Sequence, residues 1–213
     1  GLQNMKNILK KLQDKKSKLN TEEILSILLD TFKDKIALAS SLGAEDQILT
    51  HITLQINPKA RIFVLDTGRL NQETYITMEK TMEKYQFQYE VCYPEANQVI
   101  KMVQEKGPNS FYKSLENRKE CCHIRKVAPL SKKLATCDAW ITGLRKEQSV
   151  TRTDIETIEW DDTFNIIKSN PLANWTEKQI WDAIKKNNIP YNELHDKEYS
   201  SIGCQPCTRA IQK

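Results

Sequence analysis

Apolar positions follow two different rhythms along this chain. In the first 34 residues the spacing is helical. Residues 5–19 carry Met5, Ile8, Leu9 and Leu12 on one stripe, and residues 21–34 open at Thr21, which reads as an N-cap ahead of Glu23-Ile24-Leu25. From residue 36 onward, short apolar runs alternate with helical periodicity. Ile36-Ala37-Leu38-Ala39, Ile62-Phe63-Val64-Leu65, Tyr89-Glu90-Val91-Cys92 and Ala139-Trp140-Ile141-Thr142 read as strands. Helices are expected after Gly43, with Ile48, Leu49, Ile52 and Ile56 on one face, and over Asn71–Tyr85, 95–106 and 121–135. Ile155–Trp160 and Thr163–Lys168 flank Asp161-Asp162 as a hairpin, and Thr176-Glu177-Lys178-Gln179 is a capping box for a helix burying Ile180, Trp181 and Ile184. Strands separated by helices predict an α/β fold, a mostly parallel sheet with helices on both faces. Residues 1–34 form an N-terminal helical segment packed on a domain of residues 35–213, one compact unit together.

Composition narrows the functional classes. None of the 213 residues belongs to an apolar run of about 18, so no membrane-spanning helix is expected, and the lysine-rich start does not resemble a secretory leader. A cytoplasmic protein is the reading that follows. Gly1-Leu2-Gln3-Asn4 reads as an addition ahead of a natural start at Met5. The net charge of +4 is concentrated: the first twenty residues hold six lysines and one acid, while the remaining 193 hold 26 basic and 27 acidic groups. A nucleic-acid binder spreads cations over a face, so this excess reads as the solvated side of one helix.

In an open parallel sheet, ligands bind at the carboxyl ends of the strands. Three polar segments leave strands here: Ser40-Ser41-Leu42-Gly43-Ala44-Glu45-Asp46, Asp66-Thr67-Gly68-Arg69, and Gly143-Leu144-Arg145-Lys146 running on to Ser149-Val150-Thr151-Arg152. Two hydroxyls and backbone N–H groups ahead of a helix suit a phosphate or sulfate; Glu45-Asp46 would compete with it, and a plain strand-to-helix turn accounts for the same residues. The absence of Gly-Lys-Ser/Thr excludes a Walker loop. Arg145 and Arg152 are candidate anion partners.

Four of the six cysteines come in close pairs, Cys121-Cys122 and Cys204-Gln205-Pro206-Cys207. Close pairs favour a metal or redox site over a disulfide framework. On a helix Cys121 lies beside Arg125 and Cys122 beside Lys126, and a cation stabilises a thiolate. A [4Fe–4S] cluster, a tetrahedral zinc and a redox pair at Cys204/Cys207 all remain open on spacing alone. Cys92 and Cys137 sit in apolar settings and read as core thiols. His123 adjoins the pair as a further ligand candidate, whereas His51 and His195 read as ordinary polar residues.

Taken in order, these segments resemble the assimilatory adenylyl-sulfate reductases, relatives of phosphoadenylyl-sulfate reductase. The resemblance rests on Ser41-Leu42-Gly43-Ala44-Glu45-Asp46, Leu65-Asp66-Thr67-Gly68-Arg69-Leu70 with Glu73-Thr74-Tyr75, and Cys121-Cys122-His123-Ile124-Arg125-Lys126. It continues through Trp140-Ile141-Thr142-Gly143-Leu144-Arg145 with Gln148-Ser149 and Thr151-Arg152, Asn170-Pro171-Leu172, and Ile189-Pro190-Tyr191-Asn192-Glu193-Leu194-His195-Asp196. It ends at Ser201-Ile202-Gly203-Cys204-Gln205-Pro206-Cys207-Thr208-Arg209, so that about residues 36 to 210 are covered.

The resemblance implies an adenine-nucleotide α-hydrolase-like, Rossmann-like fold. It implies a [4Fe–4S] cluster on Cys121, Cys122, Cys204 and Cys207, and a substrate cradle of Ser40, Ser41, Gly43, Leu65, Asp66, Thr67, Gly68, Gly143, Arg145 and Arg152. Lys126 would be the catalytic cation near cluster and sulfate. The implied reaction reduces adenylyl sulfate to sulfite and AMP through an enzyme S-sulfocysteine that thioredoxin or a similar dithiol resolves. The 3′-phosphorylated substrate, or use of both, is the alternative, and a homo-oligomer stays open. The family's nucleophile lies in a Glu-Cys-Gly-Leu/Ile-His motif shortly after the CxxC. These 213 residues lack that motif, so the nucleophilic cysteine is expected beyond Lys213. The chain as given is then expected to bind nucleotide and cluster without making sulfite. More distant alternatives are an iron–sulfur tRNA-thiolating enzyme, which would need a basic RNA surface, and a zinc-stabilised domain without activity.

Overall fold

Six strands, β1 (Ile36–Ser40), β2 (Arg61–Leu65), β3 (Glu90–Cys92), β4 (Ala139–Ile141), β5 (Ile158–Asp161) and β6 (Ile166–Ser169), make one sheet in the computed structural model, in the order β3-β2-β1-β4-β6-β5. Residues 1–148, 151 and 154–207 are described. All neighbours run parallel except β5 and β6, which form the expected hairpin. Its turn lies two to three residues later than Asp161-Asp162 suggested, with Asn165 at φ 54 supplying the left-handed residue.

Alternation along each strand explains why both faces are covered. Ile36 and Leu38 of β1, Ile62 and Val64 of β2, and Ala139 and Ile141 of β4 belong to one buried cluster, closed by α2 (Thr21–Phe32), α3 (Ala44–Ile56) and α8 (Glu177–Lys186). The residues between them, Ala37, Phe63 and Trp140, point the other way and pack with Leu134, Cys137 and Met5. Side chains such as Leu38 and Ile141 are fully buried, each contributing on the order of 1.5–3 kcal/mol.

The remaining helices are α1 (Leu2–Lys15), α4 (Gln72–Tyr85), α5 (Ala96–Lys106), α6 (Leu115–Cys122) and α7 (Ala128–Leu134). The N-cap of α2 is Asn20, not Thr21: Asn20 and Glu23 complete a capping box, and Thr21 uses its hydroxyl on the Pro171 carbonyl at 3.2 Å. Lys16 pairs with Glu156 and Lys6 stacks on Trp160, which ties part of the lysine-rich face to the domain. Cys137 is buried as expected, while Cys92 at the end of β3 is only half-buried. No described helix is long and apolar enough to cross a membrane.

One departure matters for the site. The single helix expected over 121–135 is three pieces, with a π-helical turn, His123–Val127, joining α6 to α7. Such bulges shift the face on which side chains emerge and concentrate at functional sites.

Candidate active site

Chain order makes β1/β4 a topological switch point, because β2 and β3 extend the sheet on one side of β1 and β4, β6 and β5 on the other. A cavity of about 520 Å³ opens there. Ser40, Ser41 and Gly43 line it from the exit of β1, Leu65 and Thr67 from β2, and Gly143 from β4. Lys126, on the π-turn, and Cys204 close it from outside the sheet. Asp66, Gly68 and Arg145 are near but do not line it. Arg152 lies outside the described residues, and so does Lys213, beyond which the nucleophilic cysteine is expected.

The turn after β1 decides between two expectations. The sequence leaves open an anion on N–H groups ahead of α3 or a plain turn with Glu45-Asp46 as competitors, and in the structure those donors are taken by the protein itself. Asp46 Oδ2 accepts from both the Ser41 amide and hydroxyl at 2.9 Å, and the Gly43 amide also donates to this carboxyl. Leu42 N–H donates to Ser40 Oγ at 3.1 Å, and Ala44 N–H donates to His195 Nε2 at 3.2 Å. The protein's own carboxylate occupies the anion position at this helix end. Leu42 holds φ 62 while fully buried, a strained conformation maintained by the packing around it. Burial, with Glu45 alongside, pushes the Asp46 carboxyl up to about 6 against the pull of the Ser41 and Gly43 donors.

Arg145 is likewise committed. Its Nε donates to Glu45 Oε1 at 2.9 Å and its Nη1 to the Trp175 carbonyl at 3.2 Å, while Gln148 Nε2 reaches the same Glu45 oxygen at 3.1 Å. Its guanidinium neutralises a buried acid and does not line the β1/β4 cavity. Gly143 explains how closely the β4 exit approaches α3. A Cβ there would sit 2.6 Å from Asp46 Oδ1 and 2.9 Å from Glu45 Cβ, leaving glycine the one residue type that fits without movement.

The Asp66-Thr67-Gly68 loop is a hydrogen-bonded bracket. Asp66 Oδ1 accepts from Gly68 N and Tyr75 Oη, both at 2.8 Å, and Gly68 has φ 79. Burial and this bond push the Tyr75 phenol up to about 12. Buried Arg125 donates to the Thr67 carbonyl at 2.6 Å, joining the π-turn to the loop, and Cys204 Sγ donates to Thr67 Oγ1 at 3.0 Å.

Of the four paired cysteines, Cys121 is buried, Cys204 is half-buried, and Cys122 and Cys207 are exposed. Burial pushes the Cys121 thiol up, opposed by Arg125, and Cys204 is close enough to act on it electrostatically. The chain reaches this meeting through an antiparallel bridge between Leu70 and Cys204 and a 2.6 Å bond from Gln205 N to the Arg69 carbonyl. Among the described residues no three His, Cys, Asp or Glu side chains are gathered as a metal site. In donor chemistry the set fits a thiolate-bound group, four sulfurs in two pairs with two members adjacent and Arg125 and Arg69 nearby.

The model of the phosphoadenosine phosphosulfate reductase domain matches residues 35–210. The chain belongs to this family. Among reductase relatives, the adenosine 5′-phosphosulfate reductase of Burkholderia cepacia is 49% identical over 179 residues, 84% of this chain and 72% of the relative. That of Allochromatium vinosum is 46% identical over 178 residues, 84% and 70%. The phosphoadenylyl-sulfate reductase of Candida auris, solved with phosphate, superposes with a TM-score of 0.80 at 25% identity, covering 94% of this chain and 96% of its own. Candida glabrata FMN adenylyltransferase shares the fold alone, with a TM-score of 0.61 at 15% identity, covering 88% of this chain and 62% of its own. The adenine-nucleotide α-hydrolase-like architecture is thus that of the reductase family.

Sequence reasoning missed the part played by His195 and reached two other contributors only in outline. His195, read as ordinary, caps α3. Asp46, read as a competitor for the anion, fills its place. Ser200, Ser201, Ile202 and Gly203 line the cavity beside Cys204, a segment the sequence marks through the resemblance at Ser201-Ile202-Gly203 and its adjacency to the CxxC.

Proposed function

We propose that this chain binds adenylyl sulfate in the β1/β4 cavity and belongs to an enzyme that reduces it to sulfite and AMP. The observation that carries the reading is the make-up of that one cavity, in which strand-end loops suited to a nucleoside share a space with Lys126 and Cys204. The acids Asp46 and Glu45 disfavour a phosphosulfate at the β1 turn, so the nucleoside lies there and the anionic end faces Lys126. Preference for adenylyl sulfate over its 3′-phosphorylated form is supported by the names of the relatives at 46–49% identity.

In the proposed reaction a thiolate attacks the sulfuryl sulfur, the sulfur–oxygen bond to the phosphate breaks, and AMP leaves with that electron pair. One thiolate of thioredoxin or a similar dithiol attacks the cysteine sulfur of the S-sulfocysteine and expels sulfite, and the dithiol's second thiol then breaks the mixed disulfide, freeing the enzyme thiolate and leaving the dithiol oxidised to a disulfide. Lys126 holds the sulfate and stabilises charge on the leaving phosphate oxygen in a site partly closed to water. Arg125 holds the Thr67 loop in register with the π-turn. On this reading the attacking thiol is none of the six cysteines here: four stand in the two close pairs assigned to the cluster, and Cys137, which is buried, and Cys92, which does not line the cavity, fall outside the family motif. Cys121, Cys122, Cys204 and Cys207 would hold a [4Fe–4S] cluster, which when bound supplies fixed charge next to Lys126.

Calorimetry with residues 1–213 tests the reading. Adenylyl sulfate is expected to bind, and Lys126→Ala to weaken it roughly ten- to a hundredfold while changing AMP much less. Equal losses for both ligands would remove Lys126 from the sulfate. Sulfite release by these residues with thioredoxin would show that one of the six cysteines attacks. Protein purified without oxygen is expected to be brown and to contain iron, whereas a colourless zinc protein would refute the cluster.

A further inference from the structure

We infer that His195 is a positioning residue which, as a neutral imidazole carrying its proton on Nδ1, latches the turn after β1 to the segment bearing Cys204; the inference builds on the nucleotide reading above. Its two partners determine the tautomer. Ala44 N–H, 3.2 Å from Nε2, can only donate, so Nε2 carries a lone pair. The Tyr199 carbonyl, 2.8 Å from Nδ1, can only accept, so Nδ1 carries the proton.

The two anchored points each adjoin a segment that lines the cavity. Ala44 begins α3, whose preceding turn supplies Ser40, Ser41 and Gly43. Tyr199 directly precedes Ser200–Cys204, which also line it. The helical turn Glu193–Lys197 that carries His195 is itself held, with Asn192 Nδ2 donating to Thr74 Oγ1 at 3.0 Å, Tyr199 N to the Leu194 carbonyl at 3.0 Å, and Lys197 3.6 Å from Glu73. The ring meets Trp181 of α8 edge-on at 5.3 Å.

The charged groups sharing its surroundings are Glu45 and Arg145, paired with each other, Glu147 beyond them, Glu177 and Lys185 on α8, and Asp196 and Glu198 on its own segment. Asp196 is bonded to the Tyr191 hydroxyl at 3.0 Å, and Glu193 faces Lys80 at 3.9 Å. The hydrogen bond seen at Nε2 among the described residues is the one from the Ala44 amide. A second proton on the ring sets N–H against N–H there, and the latch opens.

The test combines AMP calorimetry across pH with nitrogen-15 NMR of the imidazole in wild type, His195→Ala and His195→Gln. Glutamine offers one acceptor and one donor and does not titrate. Wild type is expected to show the Nδ1–H tautomer and to lose AMP affinity roughly tenfold on protonation of this ring. His195→Ala is expected to be roughly tenfold weaker at neutral pH, and His195→Gln to recover most of that loss without the acid-side decline. Asp46 titrates in all three proteins, so the difference between wild type and His195→Gln isolates the latch. An Nε2–H tautomer, wild-type affinity in His195→Ala, or an unchanged acid decline in His195→Gln would each overturn the inference. Should AMP fail to bind wild type, the nucleotide reading falls while the tautomer and the exchange rate of the Ala44 amide, expected to rise in His195→Ala, still decide the latch. If the alanine variant does not fold, the glutamine variant and the tautomer decide it.

Discussion

Two carboxyl groups at opposite ends of the sheet are pushed in opposite directions. At the carboxyl end, Asp46 is buried among hydroxyl and amide donors with Glu45 beside it, and its carboxyl rises to about 6. At the amino end, Glu90 at the start of β3 lies between Arg61 at 2.9 Å and Lys133 at 2.8 Å, and these cations bring it down to about 2. The difference is the partner supplied. Glu90 is a third exposed and has two cations, so it behaves as a structural ion pair. Asp46 has only dipoles, so keeping it charged works against folding, and that arrangement belongs at a site rather than in a scaffold.

The largest test of this contrast concerns Asp46's neighbour. Arg145→Met leaves Glu45 buried with Gln148 alone and is expected to cost about 3–5 kcal/mol, read from denaturant midpoints, whereas the double change Glu45→Leu with Arg145→Met recovers most of it. A loss below about 1 kcal/mol for the single change would mean that the pair is open to water.

The pH dependences should have opposite signs. A raised folded-state carboxyl contributes stability below its ordinary value of 3.8, and this is lost as pH rises through about 6. The size is about 3 kcal/mol. Asp46→Asn should abolish that decline. Glu90 behaves in reverse: its contribution is present above its ordinary 4.5 and lost as pH falls through about 2. After screening of this part-exposed group, Glu90→Gln should cost only about 1 kcal/mol at neutral pH and nothing below pH 2. Matching slopes for the two variants would erase the distinction.

Between these in size stands Gly143→Ala, which must move Asp46 or the β4 exit and should cost about 1–3 kcal/mol together with a loss of AMP affinity. An unchanged AMP affinity would separate this contact from the cavity.

The fold was largely legible because it rests on local and periodic signals. Continuous short apolar runs in Ile36–Ser40 and Arg61–Leu65 mark strands with both faces buried, and Thr176 with Gln179 marks a helix start wherever it occurs. The site was legible in outline for a topological reason: parallel strands deliver their exits to one edge. What escaped were pairings between distant segments. Nothing local tells that Arg145 meets Glu45 a hundred residues away, or that His195 reaches the amide of Ala44.

By itself the sequence determined the strand and helix rhythm, the family motifs, the two cysteine pairs and the concentration of charge in the first helix. All of these follow from residue type and near-neighbour spacing. Tertiary structure alone decided which side chains are spent on the protein and which remain for a ligand. Hydrogen bonds are saturable, so a donor already engaged by Asp46, Glu45 or His195 is withdrawn from any substrate. The anion cradle that the Ser-Ser-Leu-Gly turn suggested is filled from within, and Lys126 is left facing the cavity.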